Sequence, residues 1–273
     1  MDLIVFDLDG TLLNRHSELS AGTRDTLRQL SRRGIAYTVA TGRTLHAARA
    51  LLEGSDFILP HIYKNGVMIW RPDTGHYSHS NLLEMGEIRS IVEGFASQGI
   101  SPFIFTVEPP NRHGVYHPPL QTPAEQRLVK HFTGMDGLHV SPVAQLPFAA
   151  DITNISALGP RRAIENVEQL VQAEPHLVAY SGIAVEAEQL LWIDIHHSDA
   201  SKGGAIAEIK KDLGVSRVIC FGDSDNDLSM FALADESYAP SNARDSVKAV
   251  ATAVIGHHDQ DGIAEFLRRR FEL

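Results

Sequence analysis

The chain has one cysteine, Cys220, in 273 residues, which excludes an internal disulfide framework. Its surroundings, Val218-Ile219-Cys220-Phe221, suit a buried core thiol rather than a nucleophile. No stretch approaches the ~18 apolar residues of a membrane-spanning helix, so no membrane partner is expected. Basic charge is scarce as well: 24 Lys and Arg stand against 34 Asp and Glu, a net charge of −10. The basic clusters (Arg32–Arg33, Arg161–Arg162, Lys210–Lys211, Arg268–Arg270) are short and read as solvated helix surfaces. A nucleic-acid partner requires a basic footprint, and none is present. The first residues lead directly into Leu3-Ile4-Val5-Phe6, with no charged leader and no small-residue cleavage site. With the single cysteine, this makes the cytoplasm the expected location. Internal repeats and low-complexity tracts are also missing.

What is present is the material of an ordinary globular protein, 43% hydrophobic and 21% charged, long enough for one large domain or two smaller ones. Leu3–Phe6 reads as a buried strand ending at Asp7. Ser20 is placed to cap a helix carrying Leu27 and Leu30 and stopped by Gly34. Ile35–Ala40 is a second strand, Thr44–Leu52 a helix and Ile58–Tyr63 a third strand. The rhythm resumes late in the chain: strand Leu190–Ile195, helix Ser201–Leu213, strand Val218–Phe221, a short helix over Leu228–Ala234, strand Val250–Ile255 and helix Gly262–Phe271. Such alternation predicts an α/β fold with a parallel sheet and helices on both faces.

Between about Leu82 and Glu188 the character changes. Helices are expected at Glu84–Ser97, Pro123–Phe132 and Arg161–Ala173. Strands are expected at Pro102–Val107, Gly114–His117, Asp151–Leu158 and Leu177–Ser181. Nine prolines fall between Pro102 and Pro160, both included. The pattern predicts an α+β domain at 82–188 inserted into a core made of 1–81 and 189–273.

Chemistry-bearing residues gather at strand ends. Asp7-Leu8-Asp9-Gly10-Thr11 follows the first strand, where open α/β sheets place their ligands. Two carboxylates one residue apart can face one crevice there, one attacking phosphorus while the other handles protons. Gly222-Asp223-Ser224-Asp225-Asn226-Asp227 follows another buried strand, and such acids repel unless a cation or strong donor lies among them. The alternation of Asp223, Asp225 and Asp227 imitates a calcium loop. Its obligatory sixth-position Gly and twelfth-position Glu are replaced by Leu228 and Ala234, so that reading fails. Thr41-Gly42-Arg43 ends the second strand, and Ser201-Lys202-Gly203-Gly204 opens a helix. Together the four sites supply a nucleophile, a hydroxyl, a fixed cation and a metal-binding acidic cluster, the inventory that phosphoryl transfer needs.

The order Asp7-x-Asp9-Gly10-Thr11-Leu12-Leu13, Thr41-Gly42-Arg43, Lys202-Gly203 and Gly222-Asp223-x-x-Asn226-Asp227 resembles the haloacid dehalogenase-like superfamily. Asn65-Gly66 and Pro240-x-Asn242-Ala243 resemble its Cof-type, sugar-phosphatase-like branch. The resemblance implies a Rossmann-like core and a nucleophile at Asp7 that forms an aspartyl-phosphate. It implies general acid–base work at Asp9, phosphoryl binding by Thr41, Gly42 and Arg43, and Lys202 holding both the phosphoryl charge and Asp7. It also implies Mg²⁺ on Asp7, the Asp9 carbonyl and Asp223. Asp227 then orients a coordinated water, and Asn226 contacts the phosphoryl group or the metal shell.

Spacing limits where a cap can lie. Asp7 and Thr41 are only about 34 positions apart, little more than one βαβ unit. About 160 positions separate Thr41 from Lys202, several times what one such unit requires, so the inserted domain belongs in this second gap. That is where the branch carries its cap. Arg112, His113, His117 and Asn154 are candidate cap contacts. The pairs His196–His197 and His257–His258 invite a zinc site, but adjacent strand residues face opposite ways, so surface positions are expected for them. The expected activity is Mg-dependent hydrolysis of small phosphorylated metabolites. Alternatives are a phosphomutase, in which Asp7 returns phosphate to a sugar, and a non-catalytic phosphometabolite-binding protein.

Overall fold

The apolar strand Asp2–Phe6 is the fourth in a five-stranded, all-parallel sheet. In spatial order the strands are Ala253–Ile255, Glu236–Pro240, Arg217–Phe221, Asp2–Phe6 and Ala36–Val39. The computed structural model describes residues 2–109, 111–184 and 187–273. It divides the chain into one compact unit of Met1–Ser78 with Ser201–Leu273 and a second of His79–Ala200.

In the first unit the strands are apolar on both faces because helices cover both, as parallel sheets require. Leu3, Val5, Val218 and Cys220 pack with Ile206 and Ile209 of helix Lys202–Leu213 and Met230 of helix Leu228–Leu233. On the other face Phe6 lies 5.2 Å from Phe221, and Phe266 of helix Gly262–Phe271 stacks 4.3 Å from Tyr238. Ser20 caps helix Ala21–Arg32 as expected, its hydroxyl accepting from the Thr23 amide at 2.9 Å. The third expected strand is shorter, His61–Tyr63, and continues into a hairpin, Met68–Arg71 and His76–His79, that its mixed sequence conceals.

The second unit is α+β. Six strands run in the order Leu177–Ala184, Ala187–His197, Asp151–Pro160, Phe103–Glu108, Arg112–His117 and Leu138–Pro142. All neighbours are antiparallel except the last pair. Helices Met85–Ser97 and Arg161–Gln172 bury Ile88, Phe95, Ile164 and Val167 against one sheet face. Helix Pro123–Thr133 brings Leu128 and Phe132 against Phe103, Phe105 and Val115 on the other.

One boundary needs correction. The strand at Leu190–Ile195, expected in the parallel core, belongs to this second sheet as part of Ala187–His197. Its pattern gives the reason. Leu191, Ile193 and Ile195 join the core beneath the helices, and Trp192, Asp194 and His196 alternate with them. That is the period-2 signature of a sheet with one apolar face, unlike the unbroken apolar run of Leu3–Phe6. The core therefore resumes at Ser201, not at 189.

Candidate active site

Three adjacent parallel strands end at the same sheet edge, and Asp7, Thr41 and Asp223 follow them. The Asp7 amide donates to the Phe221 carbonyl at 2.9 Å, continuing the ladder and fixing where the carboxylate starts. Gly10 then reverses the chain with φ +74°, and a Cβ there would stand 2.5 Å from Asp223 Oδ2. Only glycine allows both that backbone conformation and that approach. Thr11 Oγ1 donates to Asp223 Oδ1 (3.2 Å), and Asn242 Nδ2 donates to the Gly10 carbonyl (2.8 Å), so both motifs hold this turn.

Lys202 is the fixed cation. It is fully buried at the start of its helix, and its Nζ donates to Asp7 Oδ1 and to Asp227 Oδ1, each at 2.6 Å. Asp227 is also fully buried, and its Oδ2 accepts from the amides of Asp223 (2.8 Å) and Ser224 (2.9 Å). Both Asp227 oxygens are thus committed to framing the acidic loop and orienting Lys202. The second oxygen of Asp7 takes no hydrogen bond among the described residues.

One ammonium faces the carboxylates of Asp7, Asp223 and Asp227, whose oxygens lie within 4.8 Å of one another. The electrostatics follow from that imbalance. Burial chiefly, then Asp227, Asp223 and Asp9, push the Asp7 carboxyl well above its ordinary value, although Lys202 opposes them. Burial also weighs against the Lys202 charge, but Asp227 and Asp7 outweigh it and hold the ammonium protonated. Asp223 is pushed up to about 6 by burial and by Asp227. A cluster of oxygen donors short of positive charge fits a hard divalent cation, with the second oxygen of Asp7 free and the oxygens of Asp223 held only by the Thr11 and Ser224 hydroxyls.

This imbalance has a measurable consequence in chelated protein. Asp223 has a folded pKa above its ordinary 3.8, so its contribution to stability is full below that value. It is lost as pH rises through about 6. The loss amounts to about 3 kcal/mol, at 1.36 kcal/mol per pKa unit. Melting curves of wild type and Asp223→Asn should therefore diverge between pH 4 and 6, with the variant gaining, and run parallel above. A difference that stays flat across this range would contradict the electrostatic account.

The remaining expected residues are present, some with other partners. Thr41 is buried, and its Oγ1 accepts from the Arg43 amide (3.1 Å) while its hydroxyl proton stays available. Gly42 runs beside Asn65, where a Cβ would come 3.2 Å from Oδ1. Arg43, expected at the phosphoryl group, forks onto Asp9 instead (Nε–Oδ2 2.7 Å, Nη2–Oδ1 2.6 Å). Asp9 itself is 53% exposed on its side chain. Asn226 donates to Asn65 Oδ1 at 2.9 Å.

Two supports were not legible as such. Lys64, Asn65 and Gly66 all have positive φ (49°, 54° and 106°), and a Cβ at Gly66 would meet the Ser201 carbonyl oxygen at 2.1 Å. This strained turn seats the Asn65 amide on the Thr41 carbonyl (3.1 Å). Asn65-Gly66 was the sequence signal for it. Ser229, whose Oγ accepts from the Gly203 amide (3.1 Å), gave no signal.

A sequence profile of haloacid dehalogenase-like hydrolases matches residues 4–267. The chain belongs to this family. Within it the chain falls in the Cof-type branch and is a phosphoric monoester hydrolase. A Bacillus subtilis 5-amino-6-(5-phospho-D-ribitylamino)uracil phosphatase, YwtE, is 29% identical over 98% of this chain and 97% of its own. The phosphoglycolate phosphatase of Methanopyrus kandleri is 24% identical over 99% and 97%. Among solved structures, a haloacid dehalogenase-like hydrolase from Bacteroides thetaiotaomicron superposes with TM-score 0.78 at 22% identity, covering 99% of each chain. A subclass IIB sugar phosphatase superposes with TM-score 0.77 at 20% identity, covering 100% and 99%. These two likenesses show the fold.

The candidate cap residues are engaged locally. Arg112 pairs with Glu108 (3.2 Å), His117 Nδ1 bonds the Pro118 carbonyl (2.8 Å), and Asn154 donates to Asp194 (2.5 Å); His113 is buried. His196, expected at the surface, is fully buried with its ring 5.6 Å from Tyr180. The alternation that carries Trp192 and Asp194 to this sheet face carries His196 with them. His257 and His258 are partly exposed, their rings 4.9 Å apart.

Proposed function

We propose that this enzyme hydrolyses small phosphorylated metabolites, foremost sugar or polyol phosphates, through a phosphoryl group carried on Asp7. The observation that carries the reading is the buried Lys202 ammonium. It holds one oxygen of Asp7 and leaves the other free, behind strand ends that also carry Thr41 and Asp223. A carboxylate fixed on one side and open on the other is an oriented nucleophile.

In the first half-reaction the free oxygen of Asp7 bonds to phosphorus, and the ester bond to the leaving oxygen breaks. Asp9 delivers a proton to that oxygen. In the second, Asp9 takes a proton from water, whose oxygen bonds to phosphorus while the Asp7–phosphorus bond breaks. Inorganic phosphate leaves and Asp7 returns to a carboxylate. The Thr41 hydroxyl and Lys202 hold phosphoryl oxygens throughout. Asp7, Asp223 and the Asp9 carbonyl would hold Mg²⁺, which would supply charge neutralisation at the transferring group. Arg43 holds both Asp9 oxygens, so acid–base work begins with rotation of Asp9 off the guanidinium.

Substrate class rests on the relatives. Several are named as phosphatases of a phosphoribityl compound, an ester on a polyhydroxylated chain. Selection of the leaving group is assigned to His79–Ala200. The test is phosphate release by purified protein with Mg²⁺ across sugar phosphates, polyol phosphates, nucleotides and small phosphorylated acids. Turnover concentrated on the first two groups is expected. Silence across the whole panel would overturn the reading.

A further inference from the structure

Outside the carboxylate site, two other groups of potential metal ligands occur among the described residues. One, His257, His258 and Asp259, is already spent. Asp259 accepts from the Arg15 amide (2.7 Å) and from its Nε (2.5 Å), and His258 Nδ1 is bonded to the Leu13 carbonyl (2.7 Å). The other lies wholly in the second unit and joins Glu87, His176 and His197, whose ligand atoms lie within 4.8 Å of one another.

We propose that Glu87, His176 and His197 form a zinc site, with the fourth position left to water. Two imidazoles and a carboxylate around an open position form a donor set that zinc accepts. Zinc–nitrogen bonds of about 2.0–2.1 Å set tetrahedral ligand atoms roughly 3.4 Å apart, so closing the site takes side-chain rotation only. The backbone already holds the ligands in place. Glu87 stands in the first turn of helix Met85–Ser97, where its Oε2 accepts from the Glu84 amide (2.9 Å) and its Oε1 is left for a cation. His176 immediately precedes strand Leu177–Ala184, and His197 ends the partner strand opposite Leu177. The Ser198 amide closes this hairpin end on the His176 carbonyl at 2.8 Å. The two rings lie 6.1 Å apart, inclined by 31°.

A fourth side chain completes the arrangement. Asp199 Oδ2 stands 3.9 Å from His197 Nδ1, and the Asp199 amide donates to that nitrogen at 3.1 Å. For Nε2 to bind metal the ring proton must move to Nδ1, which gives up its hydrogen bond from the Asp199 amide. Rotation of Asp199 then brings its carboxylate, 3.9 Å away in the metal-free arrangement, onto that proton. Carboxylates in this position orient and strengthen metal-bound histidines. The ion would clip the start of helix Met85–Ser97 to the open end of the hairpin. The imidazoles set it apart from the all-oxygen site at Asp7, which favours harder cations.

The probe is Zn²⁺ alone, measured by equilibrium dialysis of the full chain in a large excess of Mg²⁺ so that the carboxylate site is occupied. Wild type and Asp223→Asn should each retain about one equivalent, whereas His176→Ala/His197→Ala should retain essentially none. Asp199→Asn, whose side chain is 77% exposed and whose change cannot unfold the chain, should weaken retention about 10-fold or more. Co²⁺ in place of Zn²⁺ should give the visible bands of a tetrahedral site in wild type, and not in the double variant. No zinc retained in excess Mg²⁺, or equal retention by wild type, the double variant and Asp199→Asn, would overturn the assignment.

Discussion

Asp7→Asn should lose phosphatase turnover by roughly 10⁴-fold or more while remaining folded, because it replaces the carboxylate that the proposed mechanism uses as nucleophile with a neutral amide. Its stability should move the opposite way. In chelated protein burial already holds the Asp7 carboxyl well above its ordinary pKa. An acid raised in this way contributes its stability when protonated and loses it as pH rises through the folded pKa. An asparagine carries no such penalty, and Lys202 keeps Asp227 as its partner. The variant should therefore melt at or above the wild-type temperature without metal once pH exceeds the folded pKa of Asp7, and the rise of Tm on adding Mg²⁺ should shrink. Single-turnover quench followed by mass spectrometry should find a phosphorylated Asp7 peptide in wild type only. Full activity in Asp7→Asn would remove this residue from the chemistry altogether.

Lys202→Met should do the most damage to the fold of any single change in the site. The side chain is wholly buried and its ammonium is shared by two buried carboxylates. Removing one partner of a buried ionic group costs about 3–5 kcal/mol, because the charges left behind have neither water nor a counter-ion. At roughly 2–4 °C per kcal/mol, Tm should fall on the order of 10 °C. Turnover should fall by about 10³-fold, since a donor to the phosphoryl oxygens is lost and Asp7 is no longer held. The double variant Lys202→Met/Asp227→Asn separates the two effects. The side-chain amide that replaces the Asp227 carboxylate retains an oxygen for the Asp223 and Ser224 amides, so stability should return in part while activity does not. A Lys202→Met protein that melts with wild type would mean that the carboxylates find another cation.

Features that depend on a short stretch of chain were legible in the sequence. Leu3–Phe6 reads as a strand because its apolar run admits nothing else, and Asp7 follows it at the edge where parallel sheets bind ligands. Ser20, Gly34 and the glycines of the acidic loops announce caps and turns. In the hairpin of Met68–Arg71 and His76–His79 the first strand has a short apolar run, Met68-Ile69-Trp70, but the second, His76-Tyr77-Ser78-His79, has none to announce a partner for it. Leu190–Ile195 reads as a core strand from its place along the chain, whereas its alternating pattern belongs to the second sheet.

The site's residues were legible as motifs, but their partners were not. Arg43 on Asp9, Asn242 on Gly10 and Thr11 on Asp223 depend on rotamers and on pairings across as many as 232 positions. The grouping of His197 with His176 and Glu87 rather than with His196 has the same origin. Neighbours on a strand diverge, while the hairpin register brings distant residues together.

The position of strand Asp2–Phe6 bears on how the protein is made. Its neighbours are Ala36–Val39, which follows closely, and Arg217–Phe221, which is synthesised only after the whole of His79–Ala200. Until then one edge of the strand that ends at Asp7 has no partner. Closing so long a loop is slow if the intervening chain is unfolded, and each doubling of its length adds about 0.6 kcal/mol. Folding of His79–Ala200 as its own unit would shorten that loop before the core closes. The contact between Asp7 and Lys202 thus cannot form until the whole inserted unit has been synthesised, and phosphatase activity should appear only after that unit has folded.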